Sequence, residues 1–278
     1  MKKLFITILI FAILAYLLGY RFSHKAVLLE SPVNIFAHRG VRNYYAENSL
    51  EGFLAAKRLG FKALEVDISL TKDKYPVIFH DDNCKRLLGI DTLIENVNYN
   101  FLKGKKIIFN NQKTNNEVLL LSNFIKNYQK DMLVYLDIKI PSKSLADSLL
   151  YYLSKYKKLK NTIVADDNIF FLGYLKYKNP QIITVLEGYN KGKEYLYYII
   201  PHKYRPDYYS SFLSETNEKH IKFLKNNNLL SRKIVYGVEK FNLDKAIKSG
   251  FKNIILDFDS SMINCKNIKE RIENEKIR

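Results

Sequence analysis

Eight short β-rich apolar runs alternate with helical patterns along the chain, and no other feature narrows the possible folds as much. The runs are Asn34–Ala37, Ala63–Ser69, Leu133–Ile138, Thr162–Ala165, Ile182–Leu186, Tyr208–Phe212, Ile234–Val238 and Asn253–Leu256. Between them, Asn48–Leu59 places Leu50, Phe53, Leu54 and Leu59 at helical spacing, and Ser142–Tyr156 does so with Leu145, Leu149, Leu150 and Leu153. Shorter helical patterns cover Glu215–Lys225 and Leu243–Ser249. Parallel strands need crossover connections, so strand–helix alternation implies a parallel sheet. Eight repeats point to an α/β fold closed as a (β/α)₈ TIM barrel; an open doubly wound sheet is the runner-up. The stretch Asn83–Glu117, rich in Asn and Lys, reads as a loop excursion after the second strand. Residues from about Asn267 onward read as a charged helix.

Before the first strand, Met1-Lys2-Lys3 leads into Leu4–Tyr20, 17 residues without a charge. A spanning helix needs about 17–25 apolar residues and a signal-peptide core about 7–15. The sites around Leu17-Leu18-Gly19 and His24-Lys25-Ala26 are poor for cleavage, so the preferred reading is an uncleaved transmembrane anchor, with a cleaved signal second. This divides the chain into residues 1–25, anchor or signal, and 26–278, the barrel. Lys2 and Lys3 favour a cytoplasmic N-terminus and an exported domain, while Arg21 and Lys25 weaken that preference. Lys plus Arg number 45 against 28 Asp plus Glu, a net charge of +17. Such a charge attracts anions of several kinds. The lysines are dispersed and carry no nucleic-acid signature, so no nucleic-acid partner is expected. The tyrosines of Tyr195–Tyr209, beside His202, Lys203 and Arg205, suit either a lipid-facing loop at the barrel mouth or ordinary packing. Cys84 and Cys265 share no metal-ligand spacing with a histidine and read by default as two inert thiols, with a disulfide allowed if the domain is exported.

In a barrel the chemistry sits at the C-terminal ends of the strands. The first strand ends in His38-Arg39-Gly40. The second carries Glu65 and Asp67, whose i, i+2 spacing puts both carboxylates on one face. Next come Val77-Ile78-Phe79-His80-Asp81 and then Asp137-Ile138-Lys139. A single histidine after a strand is more often structural than catalytic. Two inward carboxylates side by side are costly unless a cation neutralises them. Oxygen ligands favour Mg²⁺ or Ca²⁺, and Asp137 would add a third carboxylate. The bland alternative is a set of salt bridges to nearby Lys or Arg.

The order and spacing of Ala37-His38-Arg39-Gly40, Ala46-Glu47-Asn48-Ser49-Leu50, Glu65-x-Asp67 and Val77-Ile78-Phe79-His80-Asp81 resembles the glycerophosphodiester phosphodiesterase family, whose pattern runs HRG, PENT, ExD, HD. The match is specific across Phe36–Asp81 and extends to about Asp259. The resemblance implies a (β/α)₈ barrel that hydrolyses glycerophosphodiesters to glycerol 3-phosphate and an alcohol with a divalent cation. It implies His38 and His80 as general acid and base, Glu65, Asp67 and Asp137 as metal ligands, Arg39 and Lys139 as phosphate-binding cations, and Glu47 as support beside the metal.

Several positions depart from that pattern. Ala46 replaces a proline, and Asp137 replaces the usual Glu in a form that resembles the related sphingomyelinase D branch. There is no tryptophan, with Tyr236 in its neighbourhood, and Leu256-Asp257 stands for Thr-Asp. Glu187 and Glu239 fall at strand ends without an assigned role. The leading substrates are glycerophosphodiesters, including lysophospholipids. The alternatives are a lysophospholipase D- or sphingomyelinase D-like lipid phosphodiesterase and a non-catalytic, membrane-tethered barrel that binds phosphorylated ligands.

Overall fold

The computed structural model describes residues 2–21, 25–127 and 132–261. Its centre is a closed barrel of eight parallel strands: β1 (Asn34–Ala37), β2 (Ala63–Leu70), β3 (Leu133–Ile138), β4 (Thr162–Asp166), β5 (Ile183–Leu186), β6 (Tyr208–Phe212), β7 (Lys233–Val238) and β8 (Asn253–Leu256). Each strand pairs with the next, and β1 pairs with both β8 and β2, which closes the ring. That closure excludes the open doubly wound sheet. All eight runs expected from the sequence are strands.

The strands read as near-continuous apolar runs because both faces are covered. Alternate residues still take different sides. Phe36, Tyr135, Ile163, Ile183, Ile234 and Ile255 meet inside the barrel. Their neighbours Ile35, Val134, Leu136, Val164 and Ile254 pack outward against the helices. The outer helices are α2 (Leu50–Arg58), α3 (Leu121–Asn127), α4 (Lys143–Lys155), α5 (Ile169–Lys178), α6 (Leu196–Ile199), α7 (Glu218–Asn226) and α8 (Leu243–Lys248), following α1 (Lys2–Arg21) in the chain. Their starts are set by short polar caps. Ser49, Ser142, Asn168 and Asn217 each accept a hydrogen bond from a backbone N–H of the first turn.

Two expectations change, the unstructured excursion and the membrane anchor. The excursion 83–117 is folded. It holds helical turns at Lys85–Leu88 and Tyr99–Leu102 and an antiparallel hairpin of Lys106–Phe109 with Gln112–Glu117. Cys84, Leu87, Ile94, Leu102 and Ile107 close its small apolar core. These residues follow neither a helical nor a strand period, so the core arises only from the tertiary path. The membrane-spanning anchor is not found: among the described residues no helix is long and apolar enough to cross a membrane. The seventeen uncharged residues stand at the bottom of the spanning range of about 17–25, and their roughly 25 Å of helix falls short of a hydrocarbon core of about 30 Å. α1 nevertheless leaves its side chains exposed from residue 2 to residue 16. In the tyrosine-rich 195–209 stretch, Ile199–Tyr204 packs against the outer helix α5, and the end of the stretch enters β6. Cys84 is buried, and burial pushes its thiol up to about 11. Cys265 and the tail expected to be helical lie outside the described residues.

The segment after α1 seals the barrel floor. Val27 N–H donates to Asp207 at 2.8 Å, Leu29 N–H donates to the Tyr208 hydroxyl at 2.9 Å, and both side chains pack on the interior cluster. The opposite end, where the strands terminate, is left for the site.

Candidate active site

The β1–α2 turn is built from the residues of the first two motifs. Gly40 takes φ +82°, and a Cβ there would lie 2.8 Å from the Gly52 carbonyl carbon. Only glycine lets α2 pack this closely on the turn. Arg39 and Asn48 also adopt positive φ, of 51° and 54°, a costly conformation for side-chain-bearing residues. It is held by the Asn48 N–H donating to Arg39 O at 3.0 Å. Asn48 also binds the second strand: its amide donates to Asp67 Oδ2 at 2.7 Å, and the Asp67 N–H donates back to Asn48 Oδ1 at 3.2 Å. Ser49 is the cap of α2. The motif thus fixes the turn, holds a carboxylate and starts a helix.

The three expected carboxylates converge. Glu65 and Asp67 point from β2 into the barrel, 2% and 0% exposed, and Asp67 lies in register with Asp137 on β3. One oxygen from each of the three lies within 4.8 Å of the others. Lys139 Nζ reaches Asp137 Oδ2 at 2.6 Å and Asp67 Oδ1 at 2.8 Å. Arg39 Nε reaches Asp67 Oδ2 at 3.0 Å, its NH1 reaches Glu47 Oε1 at 3.0 Å, and its backbone N–H donates to Glu65 at 2.8 Å. Burial opposes ionisation of Asp67, but Lys139 and Arg39 outweigh it and hold the carboxyl below its usual range. For Glu65, burial and then the charges of Asp67 and Asp137 push the carboxyl well above that range. Burial likewise raises Asp137, which Lys139 only partly offsets. Two cations shared among these groups leave the cluster short of positive charge.

The two histidines stand at this centre, each beside a carboxylate. His38 Nδ1 is 2.8 Å from Asp257 Oδ1, and its Nε2 is 3.9 Å from Glu65. Arg42 pairs with the same Asp257 oxygen. Burial opposes ionisation of Asp257, but His38 and Arg42 bring its carboxyl down to about 2. His80 Nδ1 is 2.7 Å from Asp81 Oδ1. Arg86, from the folded excursion, joins Asp81 and Glu47 at 2.6 Å each. Glu47 is therefore tied between Arg39 and Arg86.

His38, Arg39, Glu65, His80, Asp137 and Lys139 line one cavity of about 480 Å³ at the strand ends. Asp67 is buried behind it, and Glu47 stands aside among its arginines. The far wall is formed by Tyr135, Glu187, Phe212, Tyr236 and Glu239. The Tyr135 hydroxyl donates to Glu187 at 2.5 Å, and burial followed by the charge of Asp137 pushes Glu187 up to about 8. Sequence reasoning placed no role on Asp257, Arg42 or Arg86. Asp257 had a signal, an acid directly after an apolar strand. Arg42 and Arg86 had none, since loop arginines are common.

The glycerophosphoryl diester phosphodiesterase family matches residues 38–252. The chain belongs to that family. A glycerophosphodiester phosphodiesterase of Bacillus altitudinis is 36% identical over 69 residues, 25% of this chain and 28% of that one. The chain spans less than two thirds of the curated relatives it matches, between 20% and 63% of the first three. The structure of a glycerophosphoryl diester phosphodiesterase from Silicibacter pomeroyi superposes with a TM-score of 0.71 at 17% identity, covering 90% of this chain and 94% of that one. A phosphodiesterase from Oleispira antarctica, solved in complex with the product sn-glycerol-3-phosphate, gives 0.70 at 20%, covering 92% and 99%. These likenesses show the fold.

The family barrel here offers a divalent cation a suitable cradle. Three carboxylates lie within reach of one ion, all donors are oxygen, and the raised Glu65 and Asp137 mark a local deficit of positive charge. Hard cations such as Mg²⁺ or Ca²⁺ take such donors. His38 presents Nε2 when its Nδ1–H donates to Asp257, a tautomer fixed by that neighbour. The arrangement can therefore hold an anion against cations while an imidazole moves a proton.

Proposed function

We propose that the chain is a metal-dependent phosphodiesterase that hydrolyses glycerophosphodiesters to glycerol 3-phosphate and an alcohol. What carries this reading is one cavity lined by His38 and His80, with Glu65 and Asp137 beneath them and Arg39 and Lys139 beside. Glu65, Asp67 and Asp137 would hold the cation, which when bound supplies charge neutralisation and Lewis acidity at the phosphate. Arg39 and Lys139 lower the anionic charge that repels a nucleophile. One histidine takes the proton of the attacking hydroxyl and the other protonates the leaving alkoxide. Water as nucleophile gives glycerol 3-phosphate directly, and the neighbouring glycerol hydroxyl gives a cyclic phosphate first. Glu47 holds Arg39 in place against Arg86. The product-bound Oleispira structure supports the substrate class.

A lysophospholipase D- or sphingomyelinase D-like reading is favoured by one observation, the shorter Asp137 paired with Lys139 in place of Glu. Release of lysophosphatidic acid or a cyclic phosphate from lysophosphatidylcholine would select it. The non-catalytic reading has little support, because every histidine and carboxylate position carries a competent group. Export is proposed from the sequence: Lys2 and Lys3 before an apolar run fit an export signal, with α1 either retained or removed, and N-terminal sequencing of the exported protein distinguishes the two.

The test is turnover by the wild type and by His38→Ala and His80→Ala. Loss of about 1,000-fold in each with an unchanged fold is expected for paired acid–base groups. Near-wild-type rates would remove them from the mechanism.

A further inference from the structure

An apolar cavity of about 430 Å³ opens on the flank of the barrel between α5 and the α6 segment. Phe170, Tyr174, Tyr177, Ile199, Pro201 and Tyr204 line it, and it shares no residue with the catalytic cavity. Its rim is unusually apolar for a water-facing surface: Phe170 is 82% exposed, Tyr177 63% and Ile199 50%. Contiguous exposed apolar surface of this kind marks a contact site.

Two further observations select its occupant. The patch is continuous with α1, whose Tyr16 hydroxyl donates to the Tyr198 carbonyl at 3.1 Å and whose body packs on His202–Tyr204. From residue 2 to residue 16 that helix presents exposed side chains, nearly all apolar. The patch also carries positive charge. The exposed Lys143 and Lys178 each stand 5.9 Å from the centre of the Tyr174 ring, and the exposed Lys203 stands 5.6 Å from that of Tyr204. Aromatic and aliphatic groups beside exposed lysines fit an interface of acyl chains and anionic headgroups.

We propose that this flank, together with α1, docks the barrel onto an anionic lipid surface. Phe170, Tyr177 and Ile199 enter the acyl boundary and the lysines meet the headgroups. The barrel then lies on its side, so the catalytic cavity at the strand ends opens along the lipid surface.

The chain has no tryptophan, so one introduced tryptophan reports a single place. Phe170→Trp reads the flank, and Leu54→Trp, 44% exposed on α2 elsewhere on the barrel wall, is the control. Full-length variants are mixed with phosphatidylglycerol vesicles whose acyl chains carry bromine, and with phosphatidylcholine vesicles of the same kind. Insertion into the headgroup–acyl boundary should shift the Phe170→Trp emission to the blue and quench about half of it. Leu54→Trp should stay unchanged, and the effect should weaken on phosphatidylcholine. Three results would overturn the proposal. One is a chain that sediments with vesicles through α1 while Phe170→Trp stays unquenched, and another is equal quenching at both positions. The third is a lipid-free change that grows with protein concentration, which would put a second copy in the groove.

Discussion

Asp257 bonds to His38 at Nδ1. In the proposed mechanism this leaves Nε2 for the reacting phosphate and makes Asp257 a positioning residue, whose removal should act through the imidazole. Asp257→Asn should lower kcat about 100-fold or more with a small change in KM, because an amide no longer fixes the tautomer. Equal kinetics would show that His38 needs no such partner. A second residue makes a statement about stability. Lys233 is fully buried, donates to the Tyr189 carbonyl, and is pushed down to about 7 by burial, which Glu215 and Glu194 only partly offset. An unfolded lysine titrates near 10.4, so between about pH 7 and 10 the unfolded state holds more protons and folding stability rises with pH. Wild type should therefore gain on Lys233→Met by on the order of 3 kcal/mol from pH 7 to pH 10 in denaturant titrations. Parallel curves for the two proteins would contradict the assignment.

At the scale of elements, the β1–α2 turn decides whether the centre forms. A methyl at Gly40 meets the backbone of α2 and a positive φ together. Gly40→Ala should cost about 2–3 kcal/mol and disturb both His38 and Arg39. An unchanged midpoint of thermal unfolding would show the turn to be less constrained than its geometry implies. This turn was legible in the sequence because Gly40, Asn48 and Ser49 each answer a local demand: a left-handed conformation, a buried carboxylate and a helix cap. The eight strands were legible for a similar reason, since burial on both faces leaves unbroken apolar runs. The fold of 83–117 was not, because Cys84, Ile94 and Ile107 meet through tertiary contacts without a period. Arg86 and Arg42 were hidden for the same reason, because their partners Glu47, Asp81 and Asp257 are brought in by other segments.

On the scale of the whole molecule, the cavity at the strand ends and the apolar flank beside α1 lie in different places and share no lining residue. The catalytic cavity occupies the strand ends, the segment from Val27 to Leu29 seals the floor, and α1 meets the flank. The three carboxylates come from β2 and β3, so an ion held by them stabilises only the closed, folded barrel. Saturating Mg²⁺ or Ca²⁺ at about 100 times Kd should stabilise the wild type by about 2.7 kcal/mol, and Glu65→Gln should lose most of that gain. A wild type indifferent to both ions would remove the metal from the account.

Metal-dependent hydrolysis of glycerophosphodiesters is read by phosphorus NMR of glycerophosphocholine, glycerophosphoethanolamine and glycerophosphoglycerol incubated with the chain, with Mg²⁺ or Ca²⁺ and with chelator. The diester resonance should give way to glycerol 3-phosphate with metal and persist with chelator or in His38→Ala. Undiminished turnover in chelator, or none of the diesters consumed with metal present, would contradict it.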